Sequence, residues 1–239
     1  MISIAMWSGP RNISTALMRS FENRPDSVVL DEPFYAYYLK KTKINHPMRN
    51  EIIHLGETNR DNIISNITGP IPKNKKIWYQ KHMAHHNIPN DDINWIHKLT
   101  NCILIRNPKN VILSYSKKHE LLSIDQLGYK QLFRIYKLLN SNGNNPIIID
   151  CSDLLKDPKY YLKILCEKLK INFYPQMLSW PKGSRNSDGV WGKYWYNNVK
   201  NSTRFYPYFI NNEKISNKYE KIYLECLKIY NELYKIRFH

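Results

Sequence analysis

Residues 3–15 read Ser3-Ile4-Ala5-Met6-Trp7-Ser8-Gly9-Pro10-Arg11-Asn12-Ile13-Ser14-Thr15. The apolar run from Ser3 to Trp7 starts almost at the first residue and stops at Ser8-Gly9-Pro10, a turn signal. From Ser14 the pattern becomes helical, with Leu17, Met18 and Phe21 on one face. Arg24-Pro25 halts that helix, and Val28-Val29-Leu30 forms a second strand-like run ending in Asp31-Glu32-Pro33. The opening unit is strand, tight loop, helix, strand.

The same alternation continues downstream. Ile77-Trp78-Tyr79 reads as a third strand that runs into a polar cluster, Lys81-His82-Met83-Ala84-His85-His86. Asp91 to Lys98 reads as a helix, and Cys102 to Ile105 as a fourth strand. That strand ends at Arg106-Asn107-Pro108, with a helix following from Asn110. Pro146 to Asp150 is a fifth strand, followed by a helix from about Pro158 to Leu169. Strands alternating with helices predict an α/β fold with a mainly parallel sheet. In such sheets ligands collect at the carboxyl ends of the strands. The polar clusters around Ser8–Ser14, Asp31-Glu32, Lys81-His82 and Arg106 all fall there.

Two regions are less regular. Residues 34–75 hold aromatic and basic helical pieces and the turn Gly69-Pro70-Ile71-Pro72, and are read as an insertion on the substrate side. Residues 180–209 are rich in aromatics, Gly and Asn with little periodicity, and Glu213 to Tyr234 is read as one long helix. The run from Asp188 to Tyr196 either covers a ligand or packs as plain aromatic filling.

Composition sets outer bounds. With 239 residues, 42% of them hydrophobic, the chain has material for a real core. A formal net charge of +16 favours anionic partners, although much of such an excess can be a solvated surface in a Lys-, Asn- and Ile-rich chain. The four cysteines are scattered and form neither a disulfide framework nor a zinc knuckle, which suggests a reducing, cytoplasmic setting. The start lacks the basic and apolar regions of a signal peptide, and no apolar run approaches membrane-spanning length.

The loop Gly9-Pro10-Arg11-Asn12-Ile13-Ser14-Thr15 joins a strand to a helix N-terminus, where free N–H groups and the positive dipole end attract anions. Arg11 adds a charged fork, and Ser14 and Thr15 add hydroxyls. The plainer alternative makes Ser14 an N-cap and Arg11 a surface charge. The loop lacks the Lys and the second Gly of GxxxxGK[ST], which disfavours an ordinary ATP site. The segment Arg106-Asn107-Pro108-Lys109-Asn110-Val111-Ile112-Leu113-Ser114 makes a second strand-to-helix junction. Arg106 at the strand end and Ser114 two helical turns on can reach one anion, or Pro108 simply opens an ordinary helix.

Both segments resemble motifs of sulfotransferases that use 3′-phosphoadenosine-5′-phosphosulfate. The first is similar to the 5′-phosphosulfate loop, roughly P-[KR]-S-G-[ST]-T, with Arg11, Ser14 and Thr15 at the basic and hydroxyl positions. Asn12 replaces the family Ser, and Ile13 replaces the family Gly. The second closely resembles the 3′-phosphate motif R-[ND]-P-[KR]-[DN]-x-x-x-S, so Arg106 and Ser114 are expected to grip the 3′-phosphate. Pro181-Lys182-Gly183 is a weaker counterpart of a C-terminal basic motif, which adds Lys182 to the nucleotide contacts. The resemblance covers residues 1 to about 170. It implies a P-loop NTPase-like three-layer fold in one domain over 1–239, with that phosphosulfate as donor and adenosine 3′,5′-bisphosphate as product. The acceptor is expected to be a hydroxyl or amine of a small molecule or glycan.

For catalysis the resemblance implies a base and a cation. Glu32 precedes Pro33, as in sulfotransferases that use a Glu-Pro glutamate as base. His82 is the competing base, although Lys81-His82 does not keep the K-x-H spacing of cytosolic members, and Lys81 is the candidate cation. His82, His85 and His86 hint at metal, but no further ligands accompany them and no metal site is expected. Two rival readings stand beside this one. Asp31-Glu32 after an apolar strand mimics the carboxylate of an ATP-dependent kinase or ATPase. The charge and aromatics also suit a non-enzymatic nucleotide or nucleic-acid binder, although no nucleic-acid motif is visible.

Overall fold

The computed structural model describes residues 1–239. Five strands, β1 (Ile2–Ser8), β2 (Ser27–Asp31), β3 (Ile77–Met83), β4 (Thr100–Ile105) and β5 (Ile147–Asp150), form one all-parallel sheet in the order β2-β3-β1-β4-β5. Its central strand explains the arrangement. Ile4 and Met6 face one layer, while Ala5 and Trp7 face the other, and all four are fully buried. A strand buried on both faces reads as a continuous apolar run, and helices must cover each face.

One face is covered by α1 (Ser14–Glu22), α7 (Cys151–Lys156) and α8 (Pro158–Lys168), which bring Leu17, Met18, Phe21, Leu154, Leu162 and Leu165 against Ile4, Met6 and Leu104. The other face takes α4 (Arg60–Ile67), α5 (Pro108–Tyr115), α6 (Tyr129–Ser141) and α11 (Glu220–Lys235), through Ile67, Ile112, Leu132 and Leu233 among others. This is a P-loop NTPase-like three-layer α/β fold. Two further helices of the 34–75 region, α2 (Tyr35–Thr42) and α3 (Arg49–Leu55), pack on each other around Leu39 and Ile52. Short helices α9 (Gly192–Trp195) and α10 (Asn197–Lys200) precede an irregular strap that leads to α11.

Several boundaries differ from the sequence-based expectation. β3 does not end at Tyr79 but continues to Met83, because Lys81 and His82 have buried partners and stay in register with β1. Residues 91–98 hold only a 3-10 turn, Asn94–Lys98, which dips Trp95 and Ile96 into the core. The last helix starts at Glu220 rather than Glu213. The 13-residue α6 is an additional helix beyond the expected pattern, and Leu132, Ile135 and Leu139 bury along one face of it.

The register aligns the strand ends. Ser8 pairs with Met83 and Leu104, Asp31 with Lys81, and Ile105 with Asp150. The segments after each strand therefore emerge along one edge of the sheet.

Candidate active site

A cavity of about 1250 Å³ opens along that edge. It exceeds the size usual for one small ligand, roughly 300–1,000 Å³, and has room for two.

The first wall is the loop after β1. Gly9 passes so close to the 3-10 turn Ile124–Leu127, just before α6, that a Cβ there would sit 2.3 Å from the Leu127 carbonyl oxygen, so its role is close approach and it does not line the cavity. Pro10 through Ala16 do line it. Arg11 and Ile13 take left-handed φ values of 62° and 52°. For a β-branched residue this is a strained conformation. The surroundings fix it. The Asn12 side chain, 1% exposed, donates to the Leu104 carbonyl at 3.2 Å, the Cys151 thiol donates to the Asn12 carbonyl at 3.1 Å, and Arg106 donates to the Arg11 carbonyl. Left-handed residues in such a turn aim successive N–H groups at one point, a concavity suited to anions. No side chain caps the N-terminus of α1, so its first-turn N–H groups add to that concavity.

The second wall follows β4. Asn107 caps α5 by accepting from the Lys109 amide at 3.0 Å, and Pro108 opens the helix. Tyr129 holds the Arg106 carbonyl at 2.6 Å. Arg11 Nε donates to Ser114 Oγ at 2.9 Å, tying the two junctions together. Burial, then the nearby Arg106 charge, pushes the Arg11 pKa below its ordinary value. Neither guanidinium has a carboxylate partner. Two adjacent unpaired cations over an open helix end fit a ligand carrying several negative charges.

The third wall is ionic and buried. Lys81 Nζ donates to Asp31 Oδ1 at 2.9 Å, to the Tyr196 hydroxyl at 2.8 Å, and to Glu32 Oε1. The same Tyr196 hydroxyl lies 2.7 Å from Asp31 Oδ2 and accepts from Trp191 Nε1 at 3.1 Å. Burial pushes the Glu32 carboxyl up to about 7 against the opposing pull of Lys81, and Asp31 adds to the rise. Lys81 stays protonated, because Asp31 and Glu32 together outweigh its burial. With Lys81 inserted between them, Asp31 and Glu32 do not present the open carboxylate that a magnesium-dependent kinase needs.

A fourth group of side chains completes the cavity. Tyr35, Tyr38, His46, His85, His86, His119 and Trp195 line it. His86 stacks on Tyr35 and Tyr38, and burial holds both His85 and His86 well below the ordinary imidazole range. These rings are neutral at pH 7.

The sequence-derived residues sort as follows. Pro10, Arg11, Asn12, Ile13, Ser14, Thr15, Glu32, Lys81, Arg106 and Ser114 share one cavity. His82 does not reach it. β3 alternates, so Lys81 faces the cavity while His82 turns to the other side, 4.4 Å from Trp7 and hydrogen-bonded to Gln80 Oε1 at 3.1 Å. Burial alone drops His82 to about 3, which fits a core histidine and not a base. Lys182 also misses the cavity and lies exposed. The basic residue that the C-terminal third does contribute is Arg204, beside Asn198, Ser202 and Phe205. Nothing in the local sequence marks Tyr196 or Arg204 as site residues, since both come from stretches without periodicity. Asp91, His46 and the other histidines form no metal cluster.

Comparison with known proteins adds a lineage. A family model described as Sulfotransferase domain matches residues 2–211, which extends the likeness through the region of Tyr196 and Arg204. Two Arabidopsis thaliana proteins, branched-chain-amino-acid aminotransferase-like proteins 1 and 2, are 38% and 37% identical over 202 residues, 84% of this chain. The chain spans only 36% of the length of those relatives. Among solved structures, the sulfotransferase domain from the curacin biosynthetic pathway aligns with a TM-score of 0.55 at 15% identity, covering 94% of this chain and 97% of that one. A sulfotransferase from Alicyclobacillus acidocaldarius aligns with a TM-score of 0.56 at 10% identity, covering 100% and 97%. At these identities the structural likeness concerns the fold.

Proposed function

Because the chain belongs to the sulfotransferase-domain family, we propose that its cavity takes 3′-phosphoadenosine-5′-phosphosulfate and moves the sulfuryl group to a hydroxyl or amine of a small-molecule or glycan acceptor. The carrying observation is the contiguity of the two anion-directed junctions. Arg11 reaches Ser114, Arg106 reaches the backbone of Arg11, and neither cation is neutralised by the protein. In this reading Arg11, Ser14, Thr15 and the amides at the start of α1 hold the phosphosulfate end, while Arg106 and Ser114 hold the 3′-phosphate. Arg204 and Ser202 from the strap approach the same nucleotide. Residues 34–75 then shape the acceptor side, through Tyr35, Tyr38 and His46. The donor, when bound, supplies an activated sulfuryl group and a phosphate leaving group.

The chain's own groups have distinct tasks. Glu32, with a carboxyl that titrates near neutrality and faces the cavity, accepts the proton of the acceptor hydroxyl. A base poised near the working pH combines a useful ionised fraction with useful basicity. Lys81 is held by Asp31 and Tyr196 independently of Glu32, so it keeps its place when Glu32 takes up the proton. It offers fixed positive charge where negative charge develops on transfer, at no reorganisation cost. The walls orient both reactants, which is the larger part of a two-substrate rate enhancement.

The test is transfer of label from the sulfur-labelled donor across a panel of alcohols, phenols, amines and sugars. This reading expects a labelled product from wild type and none from Glu32→Gln. A wild-type protein that neither binds adenosine 3′,5′-bisphosphate nor labels any acceptor contradicts it.

A further inference from the structure

The nucleotide cavity does not account for the net charge of +16, nor for an unusual set of exposed apolar side chains. Of the eleven large apolar side chains that the chain leaves exposed, five line this one cavity: Ile44, Leu122, Tyr206, Phe209 and Ile210. Phe209 and Ile210 are 72% and 74% exposed and Leu122 is 72% exposed, so they stand at the mouth and not in its depths. Exposed large apolar groups scattered singly need no explanation, but a set gathered around one opening does.

The charges near these residues have one dominant sign. Lys41 and Lys43 shortly precede Ile44 in the chain, Lys117 and Lys118 shortly precede Leu122, and Arg204 and Lys214 bracket the strap that carries Tyr206, Phe209 and Ile210. All six are exposed. The acidic residues in the same stretches are Glu120, Asp125 and Glu213; Glu213 is paired with Lys117 at 3.2 Å and Asp125 with Lys130 at 3.8 Å. No helix of the chain is long and apolar enough to cross a membrane. Aromatic and aliphatic tips ringed by cations suit a headgroup boundary, where the tips enter the acyl region and the cations meet anionic phosphates. A nucleic acid would also attract the cations, but it gives Leu122 and Ile210 no apolar environment to enter.

We propose that the mouth of the cavity docks on the surface of an anionic lipid bilayer, with Phe209, Ile210 and Leu122 inserted and Lys117, Lys118 and Lys214 against the headgroups. This placement does not depend on the reaction that the cavity performs. Docked this way, the cavity opens toward the bilayer, and acceptors that partition into lipid reach it first.

Vesicle flotation of the full chain tests it, with phosphatidylcholine vesicles compared against vesicles that also contain phosphatidylserine. The expected result is binding to the anionic vesicles that weakens as salt screens the headgroups. The double variant Phe209→Ser/Ile210→Ser, checked for an unchanged melting temperature, is expected to lower that binding at least ten-fold. An environment-sensitive dye on Phe209→Cys, where the four native cysteines are buried, is expected to shift to the blue on vesicles. Equal binding of wild type and the double variant overturns the proposal and leaves plain charge adsorption. Absence of vesicle binding, with or without salt-sensitive capture of a mixed oligonucleotide, overturns it as well.

Discussion

Arg11 and Ser114 lie 103 residues apart in sequence and meet through a 2.9 Å hydrogen bond from Nε to Oγ. The bond joins the loop after β1 to the helix after β4, two adjacent parallel strands. It makes one anion-directed surface from two separate strand-to-helix junctions, and it orients the Arg11 fork into the cavity. Ser114→Ala frees that guanidinium to rotate while leaving the fold intact. Affinity for adenosine 3′,5′-bisphosphate is expected to fall about ten-fold or more, on the scale of a hydrogen bond to a charged group. Calorimetric titration of the variant measures it.

Glu32 governs both chemistry and pH dependence. Its folded pKa, about 7, lies above the ordinary carboxyl value. The folded state therefore binds a proton that the unfolded state has released, and stability falls as pH rises from about 4.5 to about 7 and then levels. Glu32→Gln removes this slope, so the wild-type and variant melting temperatures are expected to converge or cross over that window. The same variant should bind the bisphosphate normally and transfer no label. In wild type the transfer rate should rise with pH to about 7, as the base form appears, and then reach a plateau.

His82 has the opposite sign. Burial lowers its pKa to about 3, so the neutral ring stabilises the fold above the unfolded value near 6.5, and the benefit is lost as pH falls. His82→Phe fits beside Trp7, Phe34 and Trp95 and has nothing to protonate. It gives up the bond to Gln80, so a small loss of stability is expected at pH 8 and a relative gain below pH ~6. Bisphosphate affinity should not change, since the ring does not line the cavity. Thermal melts from acid to neutral pH, with and without ligand, check both.

Tyr196 is the residue of the C-terminal third that reaches deepest into the ionic wall. Tyr196→Phe removes the hydroxyl shared by Asp31 and Lys81, in a region where both charges are buried. A loss of about 1–3 kcal/mol in stability is expected from chemical denaturation, because a buried charge is left short of a partner. Bisphosphate binding should persist, while label transfer should drop as Lys81 loses its fixed position.

How far the sequence revealed this arrangement depends on which forces place each residue. Arg11 and Arg106 sit directly after continuous apolar strands, so local pattern alone puts them at a sheet edge. Ile13 stands where the resembling motif has glycine, and the left-handed φ there shows that the loop keeps its shape despite a β-branched side chain. Asn12, Cys151 and Arg106 supply the restraint, through contacts up to 139 residues apart that no local reading contains. Lys81 and His82 looked like a loop because polar residues in a strand resemble a strand end. Their burial depends on partners, Asp31 and Trp7, that only the parallel register brings alongside. Lys182 has the basic-glycine context of the resembling motif, yet tertiary placement gives the cavity Arg204 instead. Tyr196 had no periodic pattern to mark it, and its position follows from hydrogen bonds to Asp31 and Lys81.

The most direct test of the central reading is calorimetric titration of the chain with adenosine 3′,5′-bisphosphate and with ATP, repeated on Arg106→Ala. Wild type is expected to bind the bisphosphate at one site and ATP far more weakly. Arg106→Ala is expected to lose roughly ten- to hundred-fold in bisphosphate affinity, as for a lost charged hydrogen-bond partner. Unchanged affinity in Arg106→Ala, or ATP binding as tight as the bisphosphate, contradicts the account.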